Sequence, residues 1–319
     1  MKVLITGIYG SGGSYLAKYI NDNIKNVKLH GISRAHTGLD KNDILSKVKF
    51  KGFNCDLCDI SSVIKVLQQI KPNIIFNLAS NANVRMSFDN SISIFNNNVN
   101  STLNILEAIK ILKLKNVKLI QCSTSEVYGI VSKKDTPIKE SQSFNPASPY
   151  AVSKASQDML CLTYFYNYGF DIVRTRMFTY LNPLRGDLFA TSFVKQAVEI
   201  EKGKRNILYH GNLKSVRTIL DIRDAMNAYW LSALKCKSGE VYNIGGNKIL
   251  SVGDFLDIVK GISKVKINSK LDKNLLRPSD VTLQIPDSTK FIKQTSWKPK
   301  FSFEESVQFM FDYWRSKIE

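Results

Sequence analysis

Tyr150 and Lys154 stand four residues apart in "SPYAVSKASQDML", a spacing that puts both side chains on one face of a helix. An unperturbed phenol ionises near ~10. A cation held beside it favours the phenolate, which can then accept a proton from a hydroxyl. Bringing a phenol to near neutrality asks for roughly 3–4 kcal/mol, a reasonable demand on one buried cation and a second nearby charge. About 26 residues upstream, "QCSTSEVYG" places Thr124 and Glu126 just after an apolar run. A hydroxyl at a strand end is ordinary. A carboxylate two residues later is not needed to close a loop, so Glu126 asks for a chemical role.

These groups need a rigid platform, and the chain pattern supplies one. Short apolar runs at 2–6, 27–32, 48–53, 73–79, 117–123 and 170–177 read as strands, and 13–21, 60–70, 91–113 and 148–168 carry helical periodicity. The alternation predicts an α/β fold, a Rossmann-type doubly wound parallel sheet with helices on both faces. After about residue 178 the rhythm loosens. Helices are expected at 192–202, 221–235, 251–260 and 303–317, a short strand in "EVYNIGG", and loops in "LNPLRGDLFATSF", "LLRPSD" and "SWKPKFSF". Residues 1–178, with a segment returning at about 215–246, are expected to form a dinucleotide-binding domain. Residues 179–319 form a smaller C-terminal substrate lobe interleaved with it.

The first expected strand runs into "GIYGSGG", with Gly7, Gly10 and Gly13 three residues apart before the first helix. Such a turn lets a pyrophosphate approach the backbone while helix N-terminal amides face the anion. Where an acid selecting NAD often sits, the second strand ends in "HGISRAHTG", offering Arg34 and Ser33. A guanidinium takes a 2′-phosphate bidentately, so the expected cofactor is NADP, with NAD the alternative. The loop "AHTGLDKND" adds no second arginine. Asp56 and Leu57, after the third strand, fall where an adenine edge and face would lie.

Bulk properties narrow the rest. The chain has 319 residues, net charge +18, five cysteines and three histidines. No run approaches the ~20 apolar residues of a membrane span, and Met1 leads directly into a strand without a signal-peptide pattern. Free thiols and a cytoplasmic location are expected. "CDLC" matches CxxC once, without a second pair or a nearby histidine, so no metal site is expected. The lysines are scattered rather than gathered into an arm interleaved with aromatics. A small anionic ligand therefore accounts for the charge better than nucleic acid does.

Five stretches, "ITGIYGSGGSYLAKYI", "NLASNANVRMSF", "STSEVYG", "SPYAVSK" and "NPLRGDLF", resemble in order and spacing the GDP-mannose 4,6-dehydratase family of extended short-chain dehydrogenases/reductases. The resemblance runs nearly end to end and implies a GDP-linked sugar substrate, with a hexose, heptose or amino sugar left open. It implies Glu126 as the base that removes the proton on sugar carbon 5, Thr124 as the group holding the substrate oxygen, and Tyr150 and Lys154 as catalytic residues that also touch the cofactor. Tyr9, Gly12, Leu78, Ala79 and Ser80 join the cofactor contacts. Arg85, Ser87, Asn182, Arg185 and Lys195 are implied along the substrate, Arg217 and Arg277 as a diphosphate clamp, and Asp280 at the ribose. Subunits are expected to pair through 91–113 and 148–168 into a homodimer or homotetramer. The related GDP-4-keto-6-deoxy-mannose reductases stay open as the alternative. The short chain, "EVYNIGG" and "FDYWR" lean towards them, whereas "NPLRGDLF" and "STSE" lean towards the dehydratases. "VRTILDIRD" replaces the family's Arg-Asp-aromatic run.

Overall fold

A strand covered on both faces reads as an unbroken apolar run, and "KVLIT" and "IIFN" become such strands. The structure is a computed structural model that describes residues 1–34 and 43–319. It opens with β1 (Lys2–Thr6), α1 (Ser11–Asn23), β2 (Lys28–Ser33), β3 (Lys51–Asn54), α2 (Ile60–Ile70) and β4 (Ile74–Asn77). The short α3 (Met86–Asp89), then α4 (Ser91–Ile111), β5 (Lys118–Thr124), α5 (Pro149–Tyr168) and β6 (Asp171–Met177) follow. Next come β7 (Tyr180–Leu181), α6 (Phe189–Glu201), β8 (Ile207–His210), β9 (Val216–Asp221), α7 (Ile222–Lys235) and β10 (Val241–Ile244). The chain closes with β11 (Lys248–Ser251), α8 (Val252–Ile262), β12 (Asn268–Leu271), β13 (Leu283–Gln284), α9 (Thr289–Thr295) and α10 (Phe303–Lys317).

Seven strands form one sheet in the order β10-β6-β5-β4-β1-β2-β3, every pairing parallel. The order reverses between β1 and β4, and ligands of doubly wound sheets bind beyond the strand ends at such a crevice. Side chains alternate faces along a strand. Val3 and Ile5 pack under α1 and α7, with Leu16, Ile20 and Trp230. Leu4 packs on the other face with Val66, Ile105 and Leu106. The expected parallel α/β sheet is what forms.

Between these apolar layers runs a buried polar chain. Thr6 Oγ1 donates to Asn77 Oδ1 at 2.7 Å, and Asn77 Nδ2 donates to Gln121 Oε1 at 2.8 Å and Thr102 Oγ1 at 3.0 Å. Gln157 Nε2 reaches Thr102 Oγ1 at 2.6 Å, and Asn98 Nδ2 reaches Ser153 Oγ at 3.0 Å. Paired buried polar groups of this kind impose one geometry, because a slipped register would leave them unsatisfied. The chain thus ties the strands below the glycine turn to α5. That helix is stopped at both ends: Ser148 Oγ accepts from the Ala151 amide at 3.1 Å, Pro149 follows the cap, and Gly169 ends it at φ +65°.

The remaining strands build a second layer. β9 is the hub, paired antiparallel to β11 and parallel to both β13 and β7, and β12 pairs with β8. β10 then returns to the edge of the main sheet beside β6. Several local expectations change here. "VRTIL", for which no strand is expected from sequence, is the central strand of this sheet, and "LNPLRGDLFATSF" is only partly a loop because α6 starts at Phe189. The seven-residue α9 was not expected at all. Short strands such as β7 and β13 pair with distant segments, so no local period announces them.

Candidate active site

The glycine turn can be built only from glycine at two points. Gly7 sits at φ +66°, and a Cβ there would lie 2.9 Å from Ala79 Cα; a Cβ on Gly13 would lie 2.2 Å from the Gly7 carbonyl oxygen. α1 begins just after Gly10, which supplies no side-chain cap, so its first amides remain available to an anion. Gly10, Gly12 and Gly13 line a cavity of about 360 Å³ that also contains Leu78 and Ser80. The Ser80 hydroxyl is buried there without a partner among the described residues. These features fit a dinucleotide pyrophosphate and its flanking ribose. Tyr9, in the same turn, sets its ring edge-on to Phe50 at 6.0 Å. The Ala79 amide donates to Thr6 Oγ1 at 3.0 Å, which fixes the strand end beneath the turn.

The adenosine-side residues lie at the far edge of the main sheet. Arg34 is exposed at the end of β2, close enough to Cys58 for its charge to be felt. Asp56 is exposed and accepts the Cys58 amide at 2.9 Å. Leu57 is buried in the core beneath α2 and α4. None of the three lines the main cavity. Residues 35–42, the bulk of the loop after Arg34, lie outside the described residues.

At the middle of the cavity α5 delivers Tyr150 and Lys154, while the end of β5 and the 3-10 turn Ser125–Tyr128 deliver Thr124 and Glu126. Burial pushes the Tyr150 phenol up; the Arg185 charge and a hydrogen bond with Thr124 pull the other way. Lys154 is expected to favour the phenolate; its ammonium is buried beside Tyr150 in the cavity and bonded to the Cys122 carbonyl, and burial pushes it down. Arg185 adds a second charge that favours the phenolate. Its guanidinium is fixed by a two-pronged bond to Asp187, both distances 2.8 Å, and by the Ala82 carbonyl at 3.2 Å. Glu126 Oε1 accepts from Gln284 Nε2 at 2.9 Å. Tyr150 and Glu126 thus share one cavity.

The second layer forms the far wall. Arg217 is buried, donating to the Val216 carbonyl at 3.0 Å and the Val281 carbonyl at 2.5 Å. Arg277 lies 4.0 Å from Asp280, and its charge opposes that of Arg217, so two guanidinium groups converge at this end. Asp280 accepts from Asn212 at 2.6 Å and from Ser215 at 3.1 Å.

Other expected substrate residues are not brought to the cavity. Arg85 is exposed and bonded to Asp89 at 2.7 Å, and the Ser87 hydroxyl is spent on the Val84 carbonyl at 2.7 Å. Ala82 and Val84 represent that loop in the lining instead. Lys195 points to the Trp314 ring, 5.0 Å from its centroid, and to Glu199. Asn182 is fully buried behind the lining, where its Oδ1 accepts the Leu184 amide at 3.0 Å. The helical turn of α3 and the early start of α6 set these directions, and neither has a sequence signal strong enough to reveal them.

The family model for GDP-mannose 4,6 dehydratase matches residues 4–310. The chain belongs to the GDP-mannose 4,6-dehydratase family. It is 28% identical to the GDP-mannose 4,6-dehydratase of Vibrio cholerae, over 95% of this chain and 91% of that protein. It is 30% identical to that of Homo sapiens, over 96% and 89%. Among solved structures, RMD from Pseudomonas aeruginosa complexed with NADPH aligns with TM-score 0.86 at 22% identity, covering 99% of each chain. The dTDP-glucose 4,6-dehydratase of Bacillus anthracis in complex with NAD aligns with TM-score 0.84 at 26% identity, covering 100% of this chain and 97% of that one. These matches support a GDP-sugar 4,6-dehydratase and do not favour the reductase alternative.

With the dehydratase family in view, three cavity residues stand out that the sequence reading passed over. Tyr180, whose phenol burial pushes up to about 12, lines the floor. Tyr229 reaches Cys122 Sγ at 2.7 Å. Gln284 holds the catalytic candidate Glu126 from a two-residue strand. Each reaches the cavity through tertiary packing; Tyr180 borders the "NPLRGDLF" stretch, which could have pointed to it, whereas Tyr229 and Gln284 lie outside the quoted stretches.

Proposed function

We propose that the protein converts a GDP-linked hexose, GDP-mannose or a related GDP-hexose or heptose, to the 4-keto-6-deoxy sugar, with NADP as its bound dinucleotide. The observation that carries this reading is a carboxylate separate from the phenol: Glu126 lines the cavity that Tyr150 lines. A simple ketone reduction needs one proton donor, whereas elimination needs a second group to take the proton from carbon 5. The 1–178 unit with its returning segment would hold the dinucleotide, and 179–319 the sugar nucleotide. Support for NADP is Arg34, whose guanidinium suits a 2′-phosphate; NAD is the second choice. The unpaired thiols suit the cytoplasm, and cell fractionation tests that placement. Among the described residues no helix is long and apolar enough to cross a membrane.

Gly7, Gly10, Gly13, Ser80 and Lys154 line the part of the cavity that would hold the dinucleotide, and a bound nicotinamide would supply a hydride acceptor for carbon 4 and a donor for carbon 6, with no net redox change. Tyr150 accepts the carbon-4 hydroxyl proton, with the Arg185 charge and the Thr124 hydroxyl favouring its ionised form. The ketone acidifies carbon 5, and Glu126 removes that proton. Glu126 hands that proton to the departing carbon-6 hydroxyl, which leaves as water. Carbon 5 is then reprotonated from solvent through Glu126, and Tyr150 returns its proton to solvent. Arg217 and Arg277 hold the diphosphate, since fixed guanidinium forks fit its oxygens better than a lysine point charge does. The decisive assay supplies GDP-mannose with a trace of NADP⁺ or NAD⁺. The expected product is 4-keto-6-deoxy sugar in many turnovers per cofactor. A protein that consumes only 4-keto sugars with stoichiometric reduced cofactor is not this enzyme.

The same reading extends to assembly. Ile92 on α4 is 77% exposed, and Phe95, Val152 and Met159 add apolar surface on α4 and α5. We infer that two copies pair across these helices. Light scattering should find a dimer or tetramer that Ile92→Asp converts to monomer; a wild-type monomer at micromolar concentration removes the inference.

A further inference from the structure

Glu126 sits on a single 3-10 turn, and its carboxylate has two oxygens and rotatable side-chain bonds. A base that must meet one carbon–hydrogen bond cannot be left to swing, because a misplacement of about 1 Å can cost on the order of 100-fold in rate. What restrains it comes from 158 residues away. Gln284 is 3% exposed and donates its amide hydrogen to Glu126 Oε1 at 2.9 Å.

Gln284 is itself held in place. It lies on β13 opposite Arg217 on β9, and the Arg217 guanidinium is bonded to the Val281 carbonyl in the segment entering β13. The charge of Glu126 reaches Arg217, yet the hydrogen bond on its carboxylate is from the neutral amide. That choice has a chemical consequence. A guanidinium bonded to a carboxylate pulls the acid strongly towards permanent ionisation and so weakens it as a base. An amide fixes one oxygen without adding a charge, and leaves the other free for substrate.

We propose that Gln284 is a positioning residue that aims the Glu126 carboxylate at the sugar, so that the base is assembled only when β13 is docked on β9. The proposal rests on Glu126 being the base, and the test separates the two. Gln284→Leu removes the donor, and Gln284→Glu keeps the shape while facing one carboxylate with another. In both, kcat is expected to fall about 10- to 100-fold with KM and GDP affinity by calorimetry within about 2-fold, because the arginines are untouched. Incorporation of solvent deuterium at carbon 5 should fall in step with kcat. Lowering the pH should partly restore Gln284→Glu, since a protonated acid regains the donor, and should not restore Gln284→Leu. If both variants turn over within about 2-fold of wild type while Glu126→Gln is inactive, the positioning role is wrong and the base reading stands. A parallel loss of GDP affinity makes Gln284 mere support for the Arg217 strand and overturns the proposal. An active Glu126→Gln removes the base reading itself.

Discussion

Replacing Glu126 by glutamine should lower formation of the 4-keto-6-deoxy product by about 10²- to 10⁴-fold, the range supplied by a positioned general base. Folding should be unaffected. The substituted amide keeps an oxygen that can still accept from Gln284, and Glu126 is only partly buried. GDP affinity should also hold, because Arg217 and Arg277 retain their backbone and Asp280 contacts. The diagnostic readout is exchange at carbon 5 in deuterated water: wild type incorporates one deuteron per turnover, and the variant should incorporate almost none. Undiminished exchange would assign the proton abstraction to another group in the cavity.

The second large effect concerns stability. Asp158 is completely buried on α5, four residues beyond Lys154. Its carboxylate meets Arg174 Nη1 at 2.9 Å and Arg176 Nε at 3.0 Å. Arg176 in turn donates to Tyr128 Oη at 2.9 Å and stacks against Phe144, 4.5 Å from the ring centroid. Burial pushes the Asp158 carboxyl up, but Arg176 and Arg174 together hold it below its ordinary value. Asp158→Ala leaves two buried guanidinium groups without their counter-charge, which costs about 3–5 kcal/mol and should lower the melting temperature by about 10 °C. The stabilisation from a depressed carboxyl is complete above its unfolded value and fades as pH falls through the lowered folded one. Wild type should therefore lose this part of its stability on acidification, and the variant should lack that part of the pH dependence. A melting point within about 2 °C of wild type would mean that the arginines find other partners. Because α5 carries Tyr150, activity should become heat-labile in parallel.

How much of this was legible beforehand follows from the range of each interaction. Tyr150 with Lys154, and Gly7 with Gly13, obey local geometry: one helix face, and one strand-to-helix turn that crowds out any side chain. Their spacing could be read directly, and so could the near-unbroken apolar strands of a sheet covered on both faces. The fate of Arg85, Ser87 and Lys195 could not. Each is polar and near the cavity in sequence, but a turn of helix decides which way it points, and the structure aims all three elsewhere. Lys154 likewise kept its helix face yet gave its hydrogen bond to the Cys122 carbonyl.

The amino-acid order by itself settled the alternation of strands and helices, the glycine turn and the phenol, lysine and carboxylate types, because those depend on neighbours a few residues apart. Only the folded chain decided that Arg185 acts on the phenol, that Asp158 bridges two buried arginines, and that Gln284 grips Glu126. Those contacts join segments separated by up to 158 residues. They exist only after helices, strands and loops have packed together, since no local period encodes which distant element a side chain will meet.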